Sequence, residues 1–144
     1  MKRLLIILSI PAILLLWFGQ HRYFYRFNNG KKITVWKTFG GTCYIIPRTY
    51  LWPFRPATNF ISTSNLDDIN ILCDSGSGYD FIVENQLTNK ITVKMPDYKV
   101  RYYSSIQYPE FAETYPVNSP EHKNIEYLSI DLAEMLAVLN GQKQ

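Results

Sequence analysis

The sequence predicts a mainly β (α+β) protein: an N-terminal transmembrane helix, then a small antiparallel β meander or sandwich of five to seven strands, closed by a C-terminal helix. Three observations carry this prediction. An uncharged apolar run, Leu4–Phe18, follows Met1-Lys2-Arg3. Short segments rich in Ile, Val, Thr and Tyr then recur between turn residues from about position 31 to position 105. Near the end, Asp131 and Glu134 form a capping signature before an apolar stretch stopped by Asn140-Gly141. Residues 1–27 read as a membrane anchor with an aromatic, basic juxtamembrane segment, and 28–144 as one domain.

As a helix, the fifteen residues of Leu4–Phe18 cover about 22 Å, short of the ~30 Å hydrocarbon core. Gly19 and Gln20 extend the run, and Lys2 and Arg3 can snorkel to headgroups. Eleven of the fifteen are Leu, Ile or Phe, which favours insertion by about 3–7 kcal/mol before the offsets from Ser9 and Pro11. A basic start before an apolar run also fits a cleaved signal peptide, but Trp17–His21 lacks the small-x-small cleavage pattern. Trp17, Phe18, Tyr23, Phe24, Tyr25 and Phe27 cluster where an interfacial aromatic belt would sit. An uncleaved single-pass anchor is therefore expected, with the lipid bilayer as partner through Leu4–Phe18. Lys2 and Arg3 favour a cytoplasmic N-terminus with the domain outside. Arg22, Arg26, Lys31, Lys32 and Lys37 pull towards the opposite topology.

Charge is divided along the chain. Residues 1–55 carry nine Lys or Arg and no Asp or Glu. Residues 56–144 carry six basic and twelve acidic side chains, a formal −6. A basic face resting on anionic headgroups accounts for this more simply than nucleic-acid binding, for which the chain carries no fold signature. Cys43 and Cys73 both fall in strand-like runs. In an oxidising compartment they would permit one disulfide closing a loop of about thirty residues; otherwise they are two buried thiols.

Taken in order, Asn28-Asn29-Gly30 is a turn. Lys31–Phe39 alternates as a half-buried strand, Gly40-Gly41 turns it, and Thr42–Ile46 returns until Pro47. Asn59–Ser64, Asp68–Cys73, Tyr79–Glu84, Lys90–Lys94 and Tyr98–Ser105 are further strands. Residues 106–120, with three prolines, read as an ordered loop packed through Tyr108, Phe111 and Tyr115. Asp131 caps a helix over Leu132–Leu139, with Ile130 and Met135 as its hydrophobic staple; an earlier start near Ser119-Pro120 would align Ile125, Leu128, Leu132, Met135 and Leu139 on one stripe.

Residues 47–58, PRTYLWPFRPAT, are the candidate partner-binding segment: Tyr50, Leu51, Trp52 and Phe54 between Arg48 and Arg55. Three prolines exclude a strand ladder. The segment is either a lid with its aromatics buried or an exposed patch for a partner or the membrane interface. Asp74 to Asp80, with two glycines, is compatible with a calcium loop, but the EF-hand spacing fails and a hairpin turn uses the same residues. His21 and His122 have no second ligand at metal spacing, and the close carboxylate pairs Asp67-Asp68 and Glu110/Glu113 read as solvated loop charges. There is no C-x-x-C and no G-x-S-x-G. No catalytic residue, cofactor or metal is expected, and no nucleic acid. The expected role is a non-enzymatic, membrane-anchored extracytoplasmic module for interaction or support in the cell envelope. The alternatives are a small inhibitor or immunity-type envelope protein, and an envelope enzyme.

Overall fold

Two β-sheets pack their inner faces against each other, and each outer face carries its own cover. The structure, a computed structural model, describes residues 21–64, 68–74, 76–85, 91–115, 125–134, 136–139 and 142–143. The Leu4–Phe18 run and His122 lie outside these residues. Among the described residues no helix is long and apolar enough to cross a membrane.

The first sheet has the order β1 (His21–Arg26), β2 (Lys32–Lys37), β3 (Thr42–Ile46), β4 (Phe60–Ser64) and β7 (Thr92–Lys94), all antiparallel. The second is built around β5 (Asp68–Asp74) and β6 (Phe81–Asn85). β5 pairs on its other side with β9 (Ile125–Asp131), which leads to β10 (Leu136–Leu139) and β11 (Gln142–Lys143). β8 (Val100–Tyr103) adds to β6 in parallel, making this sheet mixed.

Alternation sorts the side chains. Tyr25, Ile33, Val35, Cys43, Ile45 and Ile61 of the first sheet meet Ile69, Ile71, Cys73, Val83, Leu128 and Ile130 of the second in one core cluster. A void within it, lined by residues including Ile33, Ile61, Phe81 and Met95, measures ≈ 10 Å³. That is at most about one water, so the inter-sheet space there is packed core and not a ligand chamber.

The outer faces are also buried, which is why β2 is buried continuously through Ile33–Trp36 where alternation alone predicts a half-exposed strand. On the first sheet, Trp36, Tyr44, Ile46, Tyr50 and Phe60 form a second cluster. On the second, Leu72, Ile82 and Tyr103 lie under Phe111 and Tyr115. Those two come from helix α1 (Tyr108–Thr114) and the residue that ends it. Pro109 sits in its first turn, where no amide donor is needed, and Glu110 favours the positive end of the helix dipole. Phe111 and Tyr115 pack as expected from the sequence; Tyr108 is exposed, and the backbone is helical where a loop was expected.

Three expectations are corrected. The strand count among the described residues is eleven, above the five to seven expected. Two of the added strands, β9 and β10, replace the C-terminal helix. The cap at Asp131 does form, with Oδ1 accepting from the Ala133 and Glu134 amides at 2.9 and 3.0 Å. The chain then turns back instead of continuing, and Leu136–Leu139 pairs with Leu128–Asp131. An eight-residue helix is marginal in water, whereas the open edge of β9 supplies a hydrogen-bonded ladder and buries Ala137. Finally, the domain begins before residue 28. β1 pairs along its whole length with β2, and Tyr25 and Phe27 are core residues, so of the described belt aromatics only Phe24 is exposed.

Candidate functional site

The candidate site is the loop that crosses the outer face of the first sheet between β3 and β4. Its path is fixed from below by Thr34, which is fully buried on β2. Thr34 Oγ1 donates to the Arg48 carbonyl at 2.6 Å and accepts from the Tyr50 amide at 2.9 Å. Two backbone groups that a proline-broken loop leaves without ladder partners are thus satisfied by one hydroxyl.

Tyr50 is the buried anchor. Its ring lies 6.1 Å from Trp36, which is 5.4 Å from Tyr44, and Tyr44 meets Phe60 edge-on at 5.5 Å. The Tyr50 hydroxyl donates to the Phe54 carbonyl at 2.8 Å and so draws the far limb of the loop inward. Prolines 53 and 56 limit the backbone freedom between these ties.

The other large side chains point outward. Leu51, Trp52 and Phe54 are 62, 64 and 66 % exposed, with the Trp52 and Phe54 rings 6.1 Å apart. The lid reading and the patch reading are therefore both realised, Tyr50 serving the first and its three neighbours the second.

Three arginines border this surface. Arg48 lies over Tyr50 at 5.4 Å, and Arg55 over Phe60 at 5.3 Å and Tyr44 at 5.9 Å. Arg22 comes from β1: its guanidinium sits 4.5 Å over Trp36 and donates to the Trp52 carbonyl at 3.0 Å. Burial lowers the Arg22 pKa from its ordinary value, but a guanidinium stays charged at neutral pH. Among the described residues, Arg48 and Arg55 have no carboxylate partner. Arg22 is the member of the site that sequence reasoning missed. The alternation of Arg22, Phe24 and Arg26 on one face of β1 was the signal, hidden by the adjoining apolar run.

A second concavity, an open cleft of ≈ 490 Å³, lies at one end of the sandwich and is lined by residues including Lys31, Asp74, Tyr79, Asp80 and Lys99. Lys31, Asp74 and Asp80 are already engaged by groups of the cleft itself. Lys31 Nζ donates to the Asp80 carbonyl at 2.6 Å and approaches its carboxylate at 3.4 Å, while the Lys99 amide donates to Asp80 Oδ2 at 3.0 Å. The Lys99 amide, then the Lys31 charge, hold the Asp80 carboxyl below its usual pKa despite partial burial. Asp74 Oδ1 accepts from the Gly76 amide at 2.8 Å, and Gly78 takes a φ of 73°. These are the bonds of a hairpin turn, and β5 and β6 pair on either side of it.

The two cysteines are not brought together. Both are buried thiols. Cys73 lies by Asn29 and Lys31, and burial pushes its thiol up to about 12. Cys43 is paired with Lys37 at the other end of β2. Lys31 and Lys37 are separated by about 20 Å of extended chain, whereas a disulfide needs Cα atoms within about 7 Å.

No known protein family, curated protein or solved structure matches this chain.

Proposed function

We propose that the protein is a membrane-anchored extracytoplasmic interaction or support module of the cell envelope, non-enzymatic, with its N-terminus cytoplasmic and loop 47–58 as its contact surface. One observation carries the reading: Leu51, Trp52 and Phe54 stay about two-thirds exposed on a loop that Thr34, Tyr50 and Arg22 tie down at several points. Exposed aromatics on a held backbone lose little conformational entropy when covered, which favours binding. The apolar Leu4–Phe18 run supports the anchor.

The test is a photoreactive residue in place of Phe54 in the full chain, in its native membrane. A discrete crosslinked product, of protein or of lipid, supports the contact surface; no product from a folded protein overturns it. In parallel, Trp52→Ser with Phe54→Ser should change stability by no more than about 0.5 kcal/mol per site, as surface substitutions do. Unfolding would show instead that the loop is core.

A further inference from the structure

Loop 47–58 lies about thirty residues from the apolar run in sequence, but the fold ties it to Arg22, only a few residues after that run. Arg22 is the fourth residue after Phe18, so at most about 14 Å of chain separates them. Its guanidinium holds the Trp52 carbonyl at 3.0 Å. Phe24, half exposed, shares the Arg22 face of β1. The interfacial layer on each side of a bilayer is roughly 5–8 Å deep. Anything tied to Arg22 is therefore within reach of that layer if the run spans.

The chemistry of the surface fits the same place. Trp and other amphipathic aromatics prefer the headgroup level. Arg48 and Arg55 lack carboxylate partners among the described residues, Arg26 is exposed on the same β1 face, and no Asp or Glu occurs before Asp67. A surface with three exposed apolar groups and several cations complements an anionic lipid surface.

We infer that loop 47–58 seats Leu51, Trp52 and Phe54 in the anionic headgroup layer of the same bilayer that takes up Leu4–Phe18. The inference rests on the reading of that run as an anchor and of the loop as the contact surface. The domain then lies on the membrane, held at two points, and does not swing on a single tether. The second hold also fixes its rotation, which leaves the cleft around Lys31 and Asp80, on another part of the molecule, with a set orientation to the membrane.

The experiment uses the full chain with Trp17→Phe, reconstituted in phosphatidylcholine vesicles containing phosphatidylglycerol and a lipid bearing a doxyl quencher near the headgroup. Trp36 is buried and serves as background, subtracted by comparison with the Trp17→Phe, Trp52→Phe protein. The expected result is doxyl quenching that is lost with Trp52→Phe. It should weaken in Arg48→Gln, Arg55→Gln protein and in vesicles of phosphatidylcholine alone. Trp52 emission that iodide in the water quenches and doxyl lipid does not would overturn the inference. The crosslinker at Phe54 separates the two levels. A lipid product supports both; a protein product keeps the contact surface and overturns the lipid assignment; no product overturns both.

Discussion

Thr34 occupies a strand position where Val would be the ordinary choice, and the difference is one hydroxyl that serves both the Arg48 carbonyl and the Tyr50 amide. Thr34→Val keeps the shape and removes both bonds. Leaving these groups unsatisfied should cost about 1–3 kcal/mol, read as a shifted denaturation midpoint, together with weaker crosslinking at Phe54. Tyr50→Ala should cost about 3–5 kcal/mol, as for other large buried aromatics. On the opposite outer face, Glu84 is fully buried and accepts from Asn70 Nδ2 at 2.6 Å. Burial raises its pKa, against the smaller effect of that bond. A carboxyl with a raised folded-state pKa binds more protons folded than unfolded. Its contribution is full below the unfolded value of about 4.3 and is lost as pH rises through the folded value. Wild-type stability should therefore fall over that window relative to Glu84→Gln, measured by denaturation at a series of pH values. Parallel curves for the two proteins would show that Glu84 titrates normally.

Asp131 to Leu139 shows how an element is decided. The capping residues do what their chemistry requires: Asp131 holds the Ala133 and Glu134 amides, as an N-cap would. The path of the chain beyond a cap depends on which partners lie within reach, and here the edge of β9 does. Asp131→Ala should cost about 0.5–2 kcal/mol, the range for a lost cap, measured by thermal or denaturant unfolding. It should leave the β-sheet signal in far-ultraviolet circular dichroism unchanged, because the ladder from Leu136 to Leu139 does not depend on the carboxylate. A gain of helix in that variant would contradict the assignment of β10. β1 was hidden for a related reason. Its aromatic and basic residues match an interfacial belt as well as an edge strand, and only pairing with Lys32–Lys37 separates the two.

At the scale of the whole molecule, the two sheets share one interior, and the two thiols lie at different ends of it. Native protein should resist maleimide at neutral pH, since both cysteines are buried and burial holds the Cys73 thiol protonated. Both should label on unfolding without any reductant. Labelling that needs reduction would show a disulfide and contradict the register of β2 and β3. A compartment-sensitive reporter at the C-terminus decides the proposed topology: an extracytoplasmic signal is expected, and a cytoplasmic one would reverse it.

Seven strands, β2 to β8, were legible in the sequence because each is a short alternating or apolar run, most of them closed by Gly, Pro or Asn, and those signals are local. The aromatic and arginine content of loop 47–58 was equally legible, since composition needs no fold. Tertiary structure alone decided which of its side chains face out. Tyr50 and Trp52 look alike to a sequence, and only the floor made by Trp36, Tyr44 and Phe60 selects Tyr50 for burial. It alone decided that Ile125–Leu139 is a hairpin and not a helix, because the competing partner, β5, is more than fifty residues away in sequence. It likewise brought Arg22 onto Trp52 and set Cys43 apart from Cys73. Local backbone preference and composition are properties of neighbouring residues, whereas facing, pairing and proximity are set by contacts between segments that no local pattern specifies.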